Sequence, residues 1–130
     1  MKNLASFLTP KRKPNLKFRL SRAFVDENGE PIEWEMRQLS AAESAEITGT
    51  GEMNYQKAMI KCVSESLVYP DMHDRDLLDG LSKREGRKIL DAAEALALLV
   101  SDAEMGTLIS KYNSLYDETD VGQKITEVKN

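Results

Sequence analysis

Apolar and polar residues alternate on both sides of a turn-forming segment near the start of the chain. The first alternating run covers residues 16–24 and the second covers residues 32–36, with Asp-Glu-Asn-Gly-Glu between them at 26–30. Alternation at period two is typical of a strand with one buried face, so the two runs predict an antiparallel β-hairpin. Its apolar face holds Leu16, Phe18, Leu20, Phe24, Ile32, Trp34 and Met36.

The length of the hairpin loop follows from the requirement that both apolar faces point the same way. A two-residue loop would place them on opposite sides of the hairpin. A three-residue loop at 27–29, with its glycine in the left-handed conformation at a bulge, aligns them. This loop pairs Phe24 with Ile32 and Arg22 with Trp34. The same register places Ser21 opposite Glu35, Ala23 opposite Glu33 and Arg19 diagonal to Glu35.

Beyond Leu39 the apolar residues recur every three to four positions, which is typical of amphipathic helices. Three helices are predicted to begin at capping boxes. The first begins at 40–43 and ends near Gly49, another begins at 82–85 and ends at Val100, and the last begins at 101–104 and ends at Tyr116. A further helix is predicted from about Met53 to Val68, and a short helical turn at 74–79 closed by Gly80. The predicted fold class is therefore α+β, with an N-terminal antiparallel β-hairpin packed on a bundle of about four to five helices.

A single domain is expected, because 130 residues can bury a core without disulfide or metal support. Residues 1–15 contain two prolines and a Lys-Arg-Lys run, which predict a flexible basic arm. Residues 16–116 form the α+β domain, with the hairpin at 16–38 and the helices at 40–116. Residues 117–130 are polar, lack core periodicity and are predicted to be a disordered tail.

Charge divides the chain at Asp26, its first acidic residue. Seven basic residues precede it, and the other 105 residues hold 11 Lys and Arg against all 22 Asp and Glu, so a +7 segment precedes a body of net −11. The predicted register directs Arg19 and Arg22 towards strand partners. The basic candidates for partner contact are then Lys11, Arg12 and Lys13. Three charges on an arm bind phosphate weakly, and no aromatic platform accompanies them, so nucleic acid is not the expected partner.

The sequence carries no catalytic, cofactor or metal signature. Cys62 and His73 are the only residues of their types, so no internal disulfide can form and a Cys-His dyad has no local support. Cys62 is predicted to lie in the core and His73 in solvent. A calcium loop counted from Asp74 fails because Leu78 occupies a ligand position and Asp79 replaces the required glycine. We expect a non-enzyme without cofactors in a reducing cytoplasm.

The helix predicted at 82–100 has apolar residues on more of its surface than packing against a single neighbouring helix would bury. Its longest apolar stretch, 95–100, is much shorter than a membrane span, and no membrane contact is expected. Partner contact is therefore predicted at Leu98, Leu99 and Val100. Core positions are predicted for Trp34, Met36, Met59 and Met105.

Three segments follow the residue order of a known family. The first is Phe18-Arg19-Leu20, Phe24, Gly29, Trp34-Glu35-Met36-Arg37, Leu39-Ser40 and Glu43; the second is Val68-Tyr69-Pro70-Asp71-Met72 with Leu77 and Gly80; the third is Ser101-Asp102-Ala103-Glu104-Met105 before the last helix. Together they cover about Leu16 to Tyr116. In this order they resemble the small tail assembly chaperones of long-tailed bacteriophages and phage-like elements of Gram-positive bacteria.

The resemblance implies a protein that binds the phage tape measure protein and keeps that long helical chain soluble until tail tube subunits assemble around it. It implies no enzymatic activity, a location in the bacterial host cytoplasm and absence from the mature virion. The tail tube protein is a second candidate partner, and self-association stays open. Covering the apolar stripe of a helix requires an apolar groove with polar edges, which Leu98, Leu99 and Val100 would supply while the arm adds electrostatic attraction.

Two other functions stay open on the sequence alone. A nucleic-acid-associated regulator would bind DNA through the basic arm in a salt-dependent way, and deletion of residues 1–15 would abolish that binding. A structural subunit of the phage tail or head-tail joint would be present in purified particles, whereas a chaperone would be absent from them. A very long helical protein encoded immediately downstream would favour the chaperone.

Overall fold

The computed structural model describes residues 4–49 and 54–117. Its elements are α1 (Ala5–Leu8), β1 (Leu16–Arg19), β2 (Glu33–Met36), α2 (Ala41–Thr48), α3 (Tyr55–Ser66), β3 (Leu67–Tyr69), α4 (Arg75–Glu85), α5 (Ala92–Leu99) and α6 (Asp102–Asp117). A hairpin followed by helices confirms the α+β class. The helix beyond the predicted four to five is α1, a single turn inside the predicted arm. Residues 1–3, Met53 and the predicted tail from 118 onwards lie outside the described residues.

The three strands form one antiparallel sheet in the order β1-β2-β3. The helix predicted to reach Val68 ends instead at Ser66, and the chain continues as β3 beside β2. Pro70 restricts only Tyr69, whereas the pairing of Leu67 and Tyr69 with β2 takes the chain out of the helix before that point. The N–H of Arg37, just after β2, donates to the Ser66 carbonyl at 2.8 Å and joins the sheet to the end of α3.

The tip of the hairpin has the predicted three-residue loop. Gly29 adopts the left-handed conformation, with a φ of 79°, and its N–H donates to the Asp26 carbonyl at 3.0 Å. The N–H of Ile32 donates to the Phe24 carbonyl at 2.9 Å. The pairing predicted from parity is therefore confirmed at this end of the hairpin.

The base of the hairpin has a different register from the predicted one. Phe18 lies opposite Trp34, and Arg19 lies opposite Glu33. The partners of β2 are thus shifted by four residues along the first strand, although Arg19 remains diagonal to Glu35. The predicted pairs Arg22 with Trp34, Ser21 with Glu35 and Ala23 with Glu33 are wrong.

A four-residue excursion at 20–23 causes the change of register. The Ser21 hydroxyl accepts the N–H of Ala23 at 3.1 Å and donates to a carboxylate oxygen of Glu104 in α6 at 2.5 Å. The excursion therefore ties the hairpin to the last helix. Because four is an even number, it leaves both apolar faces aligned, and parity alone could not reveal it.

The connection from α4 to α5 also differs from the prediction. α4 continues through Gly80 and Ser82 and ends where Gly86 takes a left-handed φ of 72°, so the predicted helix start at Ser82 is wrong. The Ser82 hydroxyl instead accepts the N–H of Ile89 at 2.9 Å and holds the connecting loop against α4. α5 begins only after Asp91, whose carboxylate caps its first turn.

The helix starts predicted at 40–43, 74 and 101–104 are confirmed by their cap geometry. At α2 the Ser40 hydroxyl accepts the Glu43 N–H and the Glu43 carboxylate accepts the Ser40 N–H. Ser101 and Glu104 form the same reciprocal pair at α6. At α4 the Asp74 carboxylate accepts the Leu77 N–H. Each side-chain cap contributes about 1 kcal/mol to stability.

The core is one cluster that joins the sheet to α3, α5 and α6. Its centre is Trp34, which is 1% exposed and meets Phe24 edge to face with 5.3 Å between ring centroids. Val63, Leu96 and Leu108 approach from the three helices and are fully enclosed. The predicted core positions of Trp34, Met36, Met59, Cys62 and Met105 are confirmed.

Candidate protein-binding surfaces

Cys62 and His73 take the positions predicted for them. Cys62 is buried, and His73 is exposed, with Nε2 at 2.9 Å from a Glu65 carboxylate oxygen. Within 4–49 and 54–117, no group of three or more His, Cys, Asp and Glu side chains could hold a metal ion. Over the same residues, every helix is too short or too polar to cross a bilayer.

The predicted apolar contact site lies at the C-terminal end of α5. Leu98 and Leu99 are partly exposed, whereas Val100 caps the helix and is only 8% exposed. The guanidinium of Arg84 donates to the Leu98 carbonyl at 2.9 Å, which fixes this end of α5 against α4. The surface part of the prediction is therefore confined to Leu98 and Leu99.

The predicted basic site lies where the arm meets the body. Lys11, Arg12 and Lys13 are all exposed. Arg12 and Lys13 line a cavity of about 640 Å³ whose apolar lining includes Leu39, Tyr112 and Leu115. This cavity brings the arm together with the start of α2 and the last turns of α6.

Arg37 and Glu43 also line this cavity. The guanidinium donates to both carboxylate oxygens, at 3.0 and 2.7 Å, and a third donor, the Ser40 N–H, lies at 2.9 Å. These bonds to Arg37 first, and then to the Ser40 backbone, lower the pKa of Glu43 from 4.5 to about 2. α2 has no fully buried side chain, and this ion pair attaches the helix to the residue after β2 in addition to the packing of Ile47 on the core.

The lowered pKa of Glu43 predicts a pH-dependent contribution to stability. The carboxylate stabilises the folded protein above pH 4.5, and the contribution is lost as the pH falls towards about 2. Because the side chain is 41% exposed, solvent screening keeps the effect to about 1 kcal/mol or less. Glu43→Gln should lower the free energy of unfolding at neutral pH, and the difference from the wild type should shrink on acidification, as measured by urea titration.

The matched control for this measurement is Glu46→Gln, which removes a charge from the same helix but keeps the bonds to Arg37 and Ser40. Glutamine can still occupy the third position of a capping box, so Glu43→Gln tests mainly the charge. A difference that stayed constant from neutral to acid pH would show that the ion pair contributes nothing.

The structure does not bring the two predicted sites together. Leu98 and Leu99 precede the first turn of α6, whereas Tyr112 and Leu115 of the cavity lie in its last turns. A rise of about 1.5 Å per residue separates the two ends by roughly 15–20 Å along α6. A partner that contacted both sites would have to run along this helix.

A further apolar surface, on the arm itself, was not among the predicted sites. Leu4, Phe7 and Leu8 are 69%, 80% and 83% exposed. Their spacing of i, i+3 and i+4 was a usable signal, because it places them on one side of the single turn α1. The short length of the segment and the nearby prolines favoured a flexible arm, so no contact surface was predicted there.

An acidic groove of about 380 Å³ lies between α2, α3 and the start of α5. Its lining residues are Glu43, Glu46, Ile47, Lys61, Ser64, Glu65, Asp91 and Ala93. The acidic side chains come from three helices that are distant in sequence, so no local pattern pointed to it. Glu43 lines both this groove and the larger cavity, and the two are therefore neighbours.

Comparison with known proteins gives a likeness of fold. No family model matches the sequence, and no curated protein sequence matches it. The crystal structure of the protein YqbN, a structural genomics target, superposes with a TM-score of 0.71 over 88% of this chain and 96% of YqbN. The two sequences are 18% identical. At that identity the likeness establishes a shared fold, with nearly all of YqbN included.

Proposed function

We propose that this protein is a phage tail assembly chaperone that binds the tape measure protein and keeps it soluble until the tail tube assembles. The proposal rests first on the resemblance of residues 16–116 to that family. Several of the resembling residues have clear structural roles, since Trp34 and Met36 lie in the core and Arg37, Ser40 and Glu43 attach α2. In this role the protein has no enzymatic activity and acts in the host cytoplasm.

The observation that carries the proposal is the pair Leu98 and Leu99. α5 already supplies Ala92, Ala95 and Leu96 to the core, and two further leucines remain partly exposed at its end. An unassembled tape measure helix would expose an apolar stripe that such a surface could cover. The basic arm would add a salt-sensitive attraction at the other end of α6.

Coexpression with the tape measure protein tests this proposal. Leu98→Glu combined with Leu99→Glu places two charges in the proposed contact, which should reduce the tape measure protein recovered with the tagged chaperone by about tenfold or more. The soluble fraction of the tape measure protein should fall in parallel. Recovery is measured by quantitative gel analysis after affinity purification.

Leu90→Glu is the matched control, because Leu90 is 72% exposed in the loop before α5 and lies outside the proposed contact. Far-UV circular dichroism should show that all variants remain folded. Equal recovery with the wild type and the double variant would refute this surface, and failure of the wild type to retain the tape measure protein would refute the function.

A further inference from the structure

The arm presents an apolar face that the described part of the chain leaves uncovered. Two hydrogen bonds hold the turn of α1. The Phe7 N–H donates to the Leu4 carbonyl at 3.1 Å, and the Thr9 hydroxyl donates to the Ala5 carbonyl at 3.3 Å. Three large apolar side chains on one turn, each more than two thirds exposed, form the kind of patch that marks a contact surface.

The segment after α1 links this patch to the body. Residues 10–15 form neither helix nor strand, and Pro10 and Pro14 favour extended geometry in the residues before them. Arg12 and Lys13 lie at the base of the arm, beside the larger cavity. The exposed side chains of Leu4, Phe7 and Leu8 are therefore open to a second molecule.

The larger cavity and the acidic groove differ in net charge, and this difference decides which of them can bind a basic arm. The larger one takes Arg12 and Lys13 from the arm itself, and its other two charged residues, Arg37 and Glu43, neutralise each other in an ion pair. In the groove between α2, α3 and α5, the carboxylates of Glu46, Glu65 and Asp91 face Lys61, a formal balance of −2 beside the paired Glu43. A basic arm is therefore attracted to the groove, whereas the rest of the larger cavity carries no net charge to attract it.

The acidic groove also has apolar surface suited to α1. Ile47 and Ala93 are both partly exposed within it, and a volume of about 380 Å³ admits a few apolar side chains. Leucine and phenylalanine side chains can therefore contact Ile47 and Ala93 while the following basic run faces the carboxylates. The occupant thus needs an apolar turn followed by positive charge, which is the order of residues 4–13 of this chain.

We propose that the arm of one copy docks in the acidic groove of a second copy, with Leu4, Phe7 and Leu8 on Ile47 and Ala93 and with Lys11 close to Glu46. Two arms exchanged reciprocally give a symmetric dimer in which the same contact occurs twice. The basic arm of each copy then offsets part of the negative charge on the body of the other copy. The dimer does not depend on the proposed client.

Sedimentation velocity over a concentration series tests the dimer. The wild type should dimerise, whereas Phe7→Ser combined with Leu8→Ser should remain monomeric, because both positions are exposed and their change leaves the core intact. Lys11→Glu and Glu46→Lys should each raise the dissociation constant about tenfold or more. Combining the two reversals in one chain should restore dimerisation, which a general loss of folding could not do.

Disulfide trapping distinguishes exchange between copies from folding back within one copy. Leu8→Cys with Ile47→Cys should give a disulfide-linked dimer on non-reducing gels, while Leu8→Cys with Thr107→Cys, an exposed position on α6, should not. Cys62 is buried and does not compete. A monomeric wild type at all concentrations, an intrachain disulfide, or a dimer that survives the arm substitutions would each overturn the proposal.

Discussion

Replacing Trp34 with alanine should lower the free energy of unfolding by about 3–5 kcal/mol. The indole is 1% exposed at the centre of the sheet, where it lies opposite Phe18 and meets Phe24 edge to face. Its removal leaves a cavity bordered by strands and helices that cannot all close in together. Domains of this size have a total stability of about 5–15 kcal/mol, so the loss would be a large fraction.

Urea denaturation followed by far-UV circular dichroism measures this change, since Trp34 is the only tryptophan and fluorescence would be lost with it. Trp34→Phe is the control, because it keeps an aromatic ring beside Phe24 and should cost clearly less. A loss below about 1 kcal/mol for Trp34→Ala would mean that the sheet does not enclose this side chain as described.

Local patterns predicted the elements of this fold better than their connections. The loop at 27–29 could be predicted because parity and a left-handed glycine both depend on a few adjacent residues. The register at the base depends on the Ser21 hydroxyl reaching Glu104, 83 residues away, and an even shift leaves the apolar pattern unchanged. No property of the strand sequences alone could show this contact.

The same reasoning explains the false helix start at Ser82. A serine followed three residues later by glutamate satisfies a capping box in sequence, but the helix continued because Leu81 is buried and Gly80 costs only about 1 kcal/mol inside a helix. Ser82 was then free to bind the Ile89 N–H. Tertiary burial therefore outweighed a local signal of similar magnitude.

The candidate surfaces were only partly predictable for a related reason. Helical periodicity placed Leu98, Leu99 and Val100 on an apolar helix, but only the packing of α5 decides that Val100 is enclosed. The acidic groove requires α2, α3 and α5 to meet, and its charge is invisible until they do. The arm is the exception, since its apolar spacing and its basic run are both contained in residues 4–13.

Replacing Leu96 with alanine should lower the free energy of unfolding by about 2–5 kcal/mol, the second large effect expected. Leu96 is fully buried on α5, the helix that packs most extensively against α3. The matched change Leu90→Ala removes the same atoms from a side chain that is 72% exposed and should cost about 0.5 kcal/mol or less. Urea denaturation monitored by Trp34 fluorescence measures both variants.

Leu96→Ala and the double variant Leu98→Glu with Leu99→Glu separate stability from partner binding on one helix. If Leu98 and Leu99 form the client surface, the Leu96→Ala variant should be less stable than the wild type. It should still bind the tape measure protein at temperatures where the variant stays folded. The Leu98→Glu and Leu99→Glu double variant should show the reverse, because partly exposed positions tolerate charge better than the core does. Similar losses of stability for Leu96→Ala and Leu90→Ala would contradict the packing of α5. Loss of tape measure binding in Leu96→Ala, with binding kept in the double variant, would show that the client contacts another face of that helix.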